Sequence, residues 1–364
     1  MTKLAITIDP LTMDEARISE YVHDALALAY SEVYLLLHPE QFPRGRAEEK
    51  LTYLIGSLRQ SGLRLHAVVT DTSFNEIGLN RNDLKAIHDL GFKALRLERG
   101  FDRHDYVTLM TKNPYGIMIE DNPLVLEDAV GRIKAIQSKG NMKQYSASLP
   151  YYVHPDSGCT YENCINKTKL FKSCGIEVGV WVNSLAFSSP IFPLGKGCPT
   201  LEGQRFSSSN LSASELVAMN LFDTMGFGIT TASREEMEDL TRVVSRNTVE
   251  VPVYFHPELE PHLKEMLLQT RFKARSDSAA SILRAVQFRH KAAIQPFNTV
   301  NRDKLALTLD NNLASLYEGE MQIALKNLPS VPYANVIGQV DLSAAKLVDL
   351  LQSGKTSFIL TENV

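Results

Sequence analysis

Acidic and amide side chains follow the apolar segments that recur through the first two-thirds of the chain. If those segments are the strands of a β/α barrel, the residues after them open on one face, where barrel enzymes keep their active sites. Asp or Asn at such positions can instead cap the next helix, which is the simpler interpretation of each residue alone. The candidates at this predicted mouth are Asp9, His38, Glu40, Asp71, Glu98, Glu120, Asn122, Tyr151, Tyr152 and Asn183.

Several carboxylates converging on one mouth suit acid/base work on a glycosidic bond, in which one carboxyl protonates and the other attacks or activates water. We take Glu120 and Glu98 as the catalytic pair, with Asp9 as the third candidate. Carboxylates could equally bind a divalent metal. His154, Asp156 and Cys159 are spaced too loosely for a typical metal site, and the four cysteines include no C-x-x-C pair. We therefore predict no metal and no cofactor.

Arg96 and Glu98 have the same parity in the fourth apolar segment, so their side chains point the same way. Barrel interiors are mostly branched and apolar, which makes a charged pair there unusual. Either the two residues form a buried ion pair or both contact a ligand.

Eight short apolar or β-branched segments alternate with amphipathic helices, as parallel strands buried on both faces require. Capping boxes at Thr12-x-x-Glu15 and Ser233-x-x-Glu236 mark two of the helix starts. This pattern predicts an α/β fold, a (β/α)8 TIM-like barrel over residues 1–245. An open doubly wound sheet is the alternative, but no G-x-G-x-x-G follows the first strand. The predicted strands are Leu4–Ile8, Val33–Leu37, Leu65–Thr70, Ala94–Leu97, Gly116–Glu120, Gln144–Ser148, Glu177–Val182 and Gly226–Thr230.

From about residue 247 to 364, alternating residues and turn signals predict a separate small β-rich domain, interrupted by one helix near Ala279–Phe288. Arg275, Arg284 and Arg289 lie around that helix. They could form a phosphate clamp, or they could be solvated surface charges.

The chain has 364 residues, 44% of them hydrophobic, and a net charge of −4. A mildly acidic protein lacks the basic face that nucleic-acid binding needs. No apolar segment reaches the roughly 18–20 residues that span a bilayer, and the N-terminus is typical of a strand rather than a signal peptide. We expect a cytoplasmic protein with no nucleic-acid or membrane partner; a homodimer stays open.

Several ordered segments resemble those of a bacterial family that joins a barrel to a cyclophilin-like C-terminal domain and includes 6-phospho-N-acetylmuramidases. The resemblance covers nearly the whole chain. Its segments are Leu90-Gly91-Phe92, Leu95-Arg96-Leu97-Glu98, Gly100-Phe101-Asp102, Asn113-Pro114-Tyr115-Gly116, Cys198-Pro199-Thr200-Leu201-Glu202 with Arg205, Asn298-Thr299, Asp310-Asn311 and Tyr317-Glu318-Gly319-Glu320-Met321-Gln322-Ile323.

The resemblance implies a cytoplasmic glycoside hydrolase acting in peptidoglycan recycling on an imported, phosphorylated amino-sugar disaccharide. Arg205 or Arg289 would then hold the phosphate. Glu98 stands where the family has Asp. The other residues that the resemblance places at the substrate are Arg96, Tyr115, Asn122, Tyr152, Glu202, Asn298, Asp310, Tyr317 and Glu320.

The chain also departs from the family pattern. Leu11 replaces a glutamate after strand 1, Leu149 and Pro150 replace a His-Asn pair after strand 6, and Phe297 replaces a histidine. Each lost polar group can cost about 10²-fold in specificity or more. Two alternatives therefore stay open: a phosphosugar-binding or regulatory protein without turnover, and another barrel enzyme, such as an isomerase or lyase, on a phosphorylated substrate.

Overall fold

The computed structural model describes residues 2–10, 13–37, 47–73, 83–186, 197–229, 231–277 and 279–363. The sequence candidates Leu11, His38 and Glu40 lie outside these ranges, as does Thr12. The chain forms two compact units, one of residues 1–209 and 221–241 and the other of residues 210–220 and 242–364.

Eight parallel strands close into a barrel in sequential order, which confirms the predicted (β/α)8 class. The strands are β1 Lys3–Ile8, β2 Glu32–Leu37, β3 Arg64–Val69, β4 Ala94–Leu97, β5 Met118–Asp121, β6 Tyr145–Ser148, β7 Val178–Val182 and β8 Thr224–Phe227. Helices of the same unit are α1 Glu15–Ala27, α2 Ala47–Ser61, α3 Leu84–Asp89, α4 His104–Met110, α5 Ala129–Lys139 and α6 Tyr161–Ser173. No helix of the described ranges has both the length and the apolar character to cross a membrane.

Helix starts follow local side-chain chemistry. Ser233 and Glu236 exchange hydrogen bonds with each other's backbone N–H groups, so the predicted capping box is present before helix α8, Arg234–Arg246. Helix α1 begins at Glu15, and its N-cap is Asp14, whose carboxylate accepts from the Arg17 N–H at 2.8 Å; the box predicted at Thr12 lies outside the described residues.

The strand register decides which side chains share the barrel interior. Tyr34 is opposite His66, Arg96 is opposite Glu120, and Ala5 is opposite Gly226. Tyr34 also packs with Ala5, Leu36, Val68 and Trp181 in one buried cluster. The barrel therefore contains an apolar cluster and a set of charged side chains side by side.

The second unit is built on a seven-stranded sheet in the order β10-β15-β9-β14-β12-β13-β11, antiparallel except for the β15–β9 pair. Its strands are β9 Thr248–Phe255, β10 Phe272–Lys273, β11 Ile282–Ala285, β12 Ala306–Asp310, β13 Met321–Ala324, β14 Ala334–Val340 and β15 Ser357–Glu362. Its helices are α7 Ser209–Met219, α9 Pro261–Gln269 and α10 Ala345–Leu351, together with the end of α8.

The predicted helix at Ala279–Phe288 is wrong. Residues Ile282–Ala285 form β11, in which Leu283 and Ala285 are buried while their neighbours are half-buried, and all four pair with β13. The period-2 burial of a half-covered strand outweighs helix propensity here. Helix α9 has no counterpart among the predicted elements, although Pro261 at its first turn is a typical start signal.

Closure of the barrel between β8 and β1 depends on a glycine. A Cβ atom at Gly226 would lie 2.4 Å from the Ala5 carbonyl oxygen, which is main chain and cannot rotate away. We expect Gly226→Ala to lower the free energy of unfolding by about 1–3 kcal/mol. Urea denaturation followed by circular dichroism would measure it.

Gly56→Ala is the matched control, because a Cβ at Gly56 in α2 would meet no atom within 4 Å. Alanine in a helix interior should stabilise by about 0.5–1 kcal/mol. Equal effects of the two changes would show that the β8–β1 contact is not tight.

Candidate active site

The mouth of the barrel is formed where the strands end. Asp9 follows β1 and is fully buried, Glu98 follows β4 with 21% of its side chain exposed, and Asn183 follows β7 and is fully buried. Asn122 follows β5, and its Oδ1 accepts from the Leu124 N–H at 3.2 Å. Of these, Glu98 is the carboxylate whose exposure allows it to meet a ligand.

Glu98 is held by Arg96 from beneath. The Arg96 guanidinium is fully buried, and its Nη2 lies 3.1 Å from Glu98 Oε1 and donates to the Leu149 carbonyl at 3.2 Å. The same carbonyl accepts from Trp181 Nε1 at 2.7 Å. Arg96 therefore forms a buried ion pair and is not a surface for substrate, whereas Glu98 extends from that pair to solvent.

Two aromatic rings enclose the guanidinium. Its carbon lies 5.1 Å from the Tyr151 ring centroid and 5.2 Å from that of Trp181, within range of a cation–π attraction. Burial lowers the pKa of Arg96, but Glu98, Tyr151 and Glu120 together more than offset it, so the net pKa is raised. Arg96 stays charged at every accessible pH.

Tyr151 brings Asp9 into the same electrostatic environment. Burial raises the pKa of the Tyr151 hydroxyl; Arg96 lowers it, and Glu98 and Asp9 each raise it further. Asp9 and Glu98 therefore both lie close enough to Tyr151 to influence it. The two carboxylates and Tyr151 form the candidate acid/base group of the mouth.

Glu120 lies deeper inside the barrel than the sequence predicted. It lies within β5 rather than after it and is 5% exposed. Its Oε2 accepts from the Tyr34 hydroxyl at 3.0 Å and lies 3.8 Å from His66 Nδ1. With Glu32 it lines a cavity of about 30 Å³ at the amino end of the strands. Glu120 is thus an interior residue, below Arg96, and does not line the mouth.

Tyr115 is also displaced from the predicted site. It precedes β5, so it lies at the amino end of that strand, where its ring centroid is 5.9 Å from that of His88. Tyr152, after β6, is half-buried, and burial raises the pKa of its hydroxyl to about 12. Its backbone N–H donates to the Pro199 carbonyl at 3.0 Å, which ties the β6 and β7 loops together.

Arg205, a predicted phosphate ligand, is fully buried and has no free donor. Its Nε and Nη2 bind the Glu202 carboxylate at 2.5 and 2.7 Å. Its remaining N–H groups donate to the carbonyls of Tyr152, Gly197 and His154 at 2.9, 3.1 and 3.2 Å. All five N–H donors of a guanidinium are thereby used. Arg205 joins loops and cannot also bind a phosphate in this arrangement.

Glu202 completes the same structure. Its two oxygens accept from the backbone N–H groups of Asp156 and Gly158 at 3.0 and 2.7 Å. The Arg205 hydrogen bonds, followed by those two N–H groups, lower the pKa of Glu202 to about 2. His154, Asp156 and Cys159 do not form a metal site, since no group of three His, Cys, Asp or Glu in the described ranges could hold one.

The second unit gathers another set of predicted residues. The Glu320 carboxylate is fully buried and pairs with both Arg284 and Arg289, whose side chains are about a quarter exposed. The Tyr317 ring centroid lies 5.8 and 4.8 Å from the two guanidinium carbons. Asp310 accepts from Gln322 at 3.0 Å. These residues form an arginine cluster on the sheet of the second unit.

Asp310 is the titratable member of this cluster. Burial, and then the nearby Glu320 charge, raise the pKa of its carboxyl to about 7.

Asn298, the remaining candidate, has a positive φ of 43° and donates to the Val336 carbonyl at 2.7 Å. Phe297 packs against His256 at 6.1 Å between ring centroids.

Three residues that surround Arg96 and Glu120 were not among the predicted candidates, namely Tyr34, His66 and Trp181. Trp181 lies two residues before Asn183 on β7 and therefore on the same face, so strand alternation alone could have identified it. His66 and Tyr34 lie in the middle of β3 and β2, where no position-based signal distinguishes them.

Removing the Glu202 charge should destabilise the protein in a pH-dependent way. Glu202→Gln leaves Arg205 as a buried cation without its counter-ion, so we expect a loss of about 3 kcal/mol at pH 7. Because the pKa of Glu202 is lowered on folding, its contribution is complete above about pH 4.5 and is lost as the pH falls towards 2. Thermal melts of both proteins from pH 7 to pH 3 should converge.

Glu238→Gln is the control, because Glu238 pairs with Arg234 where both side chains are 52% exposed. Its effect should stay below about 1 kcal/mol at every pH. A Glu202→Gln effect that does not shrink on acidification would contradict the ionised pair.

Two models of one protein family match successive parts of the chain. The 6-phospho-N-acetylmuramidase N-terminal family model matches residues 5–242, and the C-terminal model of the same family matches residues 249–360. Comparison with curated proteins finds no match. An uncharacterized protein from B. cereus superposes with a TM-score of 0.82 at 24% identity, covering 100% of both chains. A conserved protein from Enterococcus faecalis superposes at 0.71 with 21% identity, covering 100% of this chain and 97% of that one. The structural likenesses show a shared fold, and the two matched family models show that the chain belongs to the 6-phospho-N-acetylmuramidase family.

Proposed function

We propose that the chain hydrolyses the glycosidic bond of a 6-phospho-N-acetylmuramyl sugar at the mouth of its barrel. The observation that carries the proposal is the geometry of Glu98, a partly exposed carboxylate fixed by a fully buried arginine. Asp9 and Tyr151 belong to the same electrostatic group. Membership in the family supplies the substrate class.

Glu98 and Asp9 supply the two carboxyl groups that glycoside hydrolysis needs. One protonates the leaving oxygen, and the other attacks the anomeric carbon or activates a water. Glu98 can approach a ligand directly because part of its side chain is exposed. Asp9 is fully buried in this structure, so it can act only once ligand binding displaces the side chains that cover it.

The proposed phosphate ligand is Arg289, together with Arg284. Arg205, the other candidate, already uses all its donors, whereas both arginines of the second unit retain exposed surface. Two guanidiniums against the Glu320 carboxylate leave a positive charge, which Asp310, with a pKa of about 7, offsets only in part at neutral pH. A phosphate dianion is the ligand that paired guanidiniums prefer.

The resemblance implies a phosphosugar that is formed on import, and a charged sugar phosphate does not cross a lipid bilayer unaided. We therefore propose that the reaction takes place in the cytoplasm, in the recycling of cell-wall sugars. The second candidate is a protein that binds the same phosphosugar without turnover. It is favoured by Leu149, whose fully buried apolar side chain stands where the family resemblance expects a polar one.

Mouth variants should abolish turnover without unfolding the protein. With a 6-phosphomuramyl disaccharide as substrate, we expect Glu98→Gln and Asp9→Asn each to lower kcat at least 10²-fold. A nitrophenyl glycoside of 6-phospho-N-acetylmuramic acid shows which carboxylate is the general acid. Its good leaving group needs little protonation, so it should rescue only the variant that lacks the acid. Circular dichroism and thermal melts would check folding.

Asp71→Asn is the matched control, because Asp71 follows β3 but has the opposite strand parity to the inward-facing residues of that strand. Full activity in both Glu98→Gln and Asp9→Asn would refute the site. Ligand-induced thermal stabilisation of the native chain by 6-phosphomuramic acid, with no product formed, would instead establish the binding protein.

Phosphate recognition is tested separately. Arg289→Gln should raise KM for the phosphorylated disaccharide about tenfold or more and leave the poor rate with the unphosphorylated disaccharide unchanged. Arg275→Gln is the control, because Arg275 pairs with the exposed Asp277. Equal loss of rate on both disaccharides would mean that Arg289 does not contact the phosphate.

A further inference from the structure

Ionisable side chains form a continuous column inside the barrel, from the mouth towards the amino end. Below Glu98 lies Arg96, and Arg96 Nε is 4.0 Å from Glu120 Oε1. Glu120 Oε2 is 3.8 Å from His66 Nδ1, and His66 Nε2 is 2.5 Å from Glu32 Oε2. Carboxylates and basic side chains alternate along the column, and the His66 ring lies between the carboxylates of Glu120 and Glu32.

The members of this axial column come from four adjacent strands, β2 to β5, and their register places them side by side. Arg96 is opposite Glu120, and His66 is opposite Tyr34, whose strand also carries Glu32. Arg96, Glu120, His66 and Glu32 are between 0 and 6% exposed. Polar and ionised side chains this deep are retained only when they have partners, so each member depends on the next.

Glu120 is the member of the column that orients the Arg96 guanidinium from below. In the described residues, Arg96 Nε and Nη1 and Glu120 Oε1 make no hydrogen bond, so the attraction between Arg96 and Glu120 acts through charge rather than through a direct donor–acceptor contact. Glu98 pulls the same guanidinium towards the mouth at 3.1 Å. Arg96 is thus balanced between two carboxylates, one above and one below.

Glu120 is itself fixed from two sides. The Tyr34 hydroxyl donates to its Oε2 at 3.0 Å, and the Tyr34 ring stacks on the His66 ring at 4.2 Å. Glu32 then holds His66, and Arg64 lies 3.9 Å from Glu32 at the amino end. The position of the guanidinium near the mouth is therefore connected to groups at the opposite end of the barrel.

We propose that Glu120, His66, Tyr34 and Glu32 are positioning residues, which hold Arg96 and, through it, set the place of the Glu98 carboxylate. The inference rests on the proposed role of Glu98. None of the four needs to touch the substrate, since the column ends below the mouth. This role differs from simple packing, because it fixes the position of one carboxylate, that of Glu98. Loss of a positioning residue should therefore lower kcat and leave KM nearly unchanged.

The test measures kcat, KM and thermal stability for Glu120→Gln, alone and combined with Glu98→Gln, on the phosphorylated disaccharide. We expect Glu120→Gln to lower kcat between about 10- and 100-fold with KM changed less than threefold, as displacement of a reacting group would. In the Glu98→Gln background the same change should cost no further kcat, because no carboxylate remains to be positioned. The thermal shift that it causes should persist in both backgrounds.

Tyr34→Phe is the milder second variant, because it removes only the hydroxyl that binds Glu120, and it should give a smaller loss of kcat of the same kind. Glu177→Gln is the control, since Glu177 pairs with Lys3 at the same end of the barrel with 56% of its side chain exposed. Full kcat in a folded Glu120→Gln or Tyr34→Phe protein overturns the inference, as does an equal kcat loss with and without Glu98.

The outcome separates this inference from the proposed function. Full activity of both Glu98→Gln and Asp9→Asn would reject the site itself, whereas full activity of Glu98→Gln alone would overturn this inference. If the native protein forms no product, melts of Glu32→Gln, Glu120→Gln and the double variant decide whether the column acts as one unit. Coupling through His66 requires non-additive shifts in Tm from these two carboxylates, and additive shifts would overturn it.

Discussion

The burial of one guanidinium constrains the rest of the barrel. Arg96 has no exposed surface, and an unpaired cation in such a place would be strongly destabilising. The structure offsets this with Glu98 above, Glu120 below, the Leu149 carbonyl at the side and the rings of Tyr151 and Trp181. Four consecutive strands, β4 to β7, must keep their register for these partners to meet around one side chain.

That requirement accounts for the unequal sizes of the side chains around the barrel. Tyr34, Arg96 and Glu120 are large and come from β2, β4 and β5, and Trp181 of β7 packs against Tyr34. The residues that continue this row on β8 and β1 are the small Gly226 and Ala5. Side chains of one closed layer must share a fixed cross-section, so bulk on one side requires small residues on the other. The close approach of Gly226 to Ala5 shows how little space remains. A barrel that used its interior only for packing could distribute this volume evenly.

Local patterns predicted the strands well, and with them the class of fold, because buried parallel strands have a strong apolar signature. Alternation along one strand also placed Arg96 and Glu98 on the same face, where they form the ion pair that was one of the two alternatives left open. It could not place Glu120, because its level depends on how β5 is offset from β4 and β2, which no single segment encodes. It failed at β11 for a related reason, since that strand is defined by its pairing with β13. The use of all five Arg205 donors depends on three loops meeting, which sequence spacing does not reveal.

Leu149 is the departure from the family pattern that lies beside Arg96. At Leu149 the group that anchors Arg96 and Trp181 is the backbone carbonyl, which every residue type provides. Replacing the side chain at this position therefore leaves Arg96 and Glu98 in place. The groups that hold Arg96 are this carbonyl, the rings of Tyr151 and Trp181, and the carboxylates, and the Leu149 side chain is none of them. The proposed positioning of Glu98 through Arg96 is therefore independent of which side chain stands at position 149.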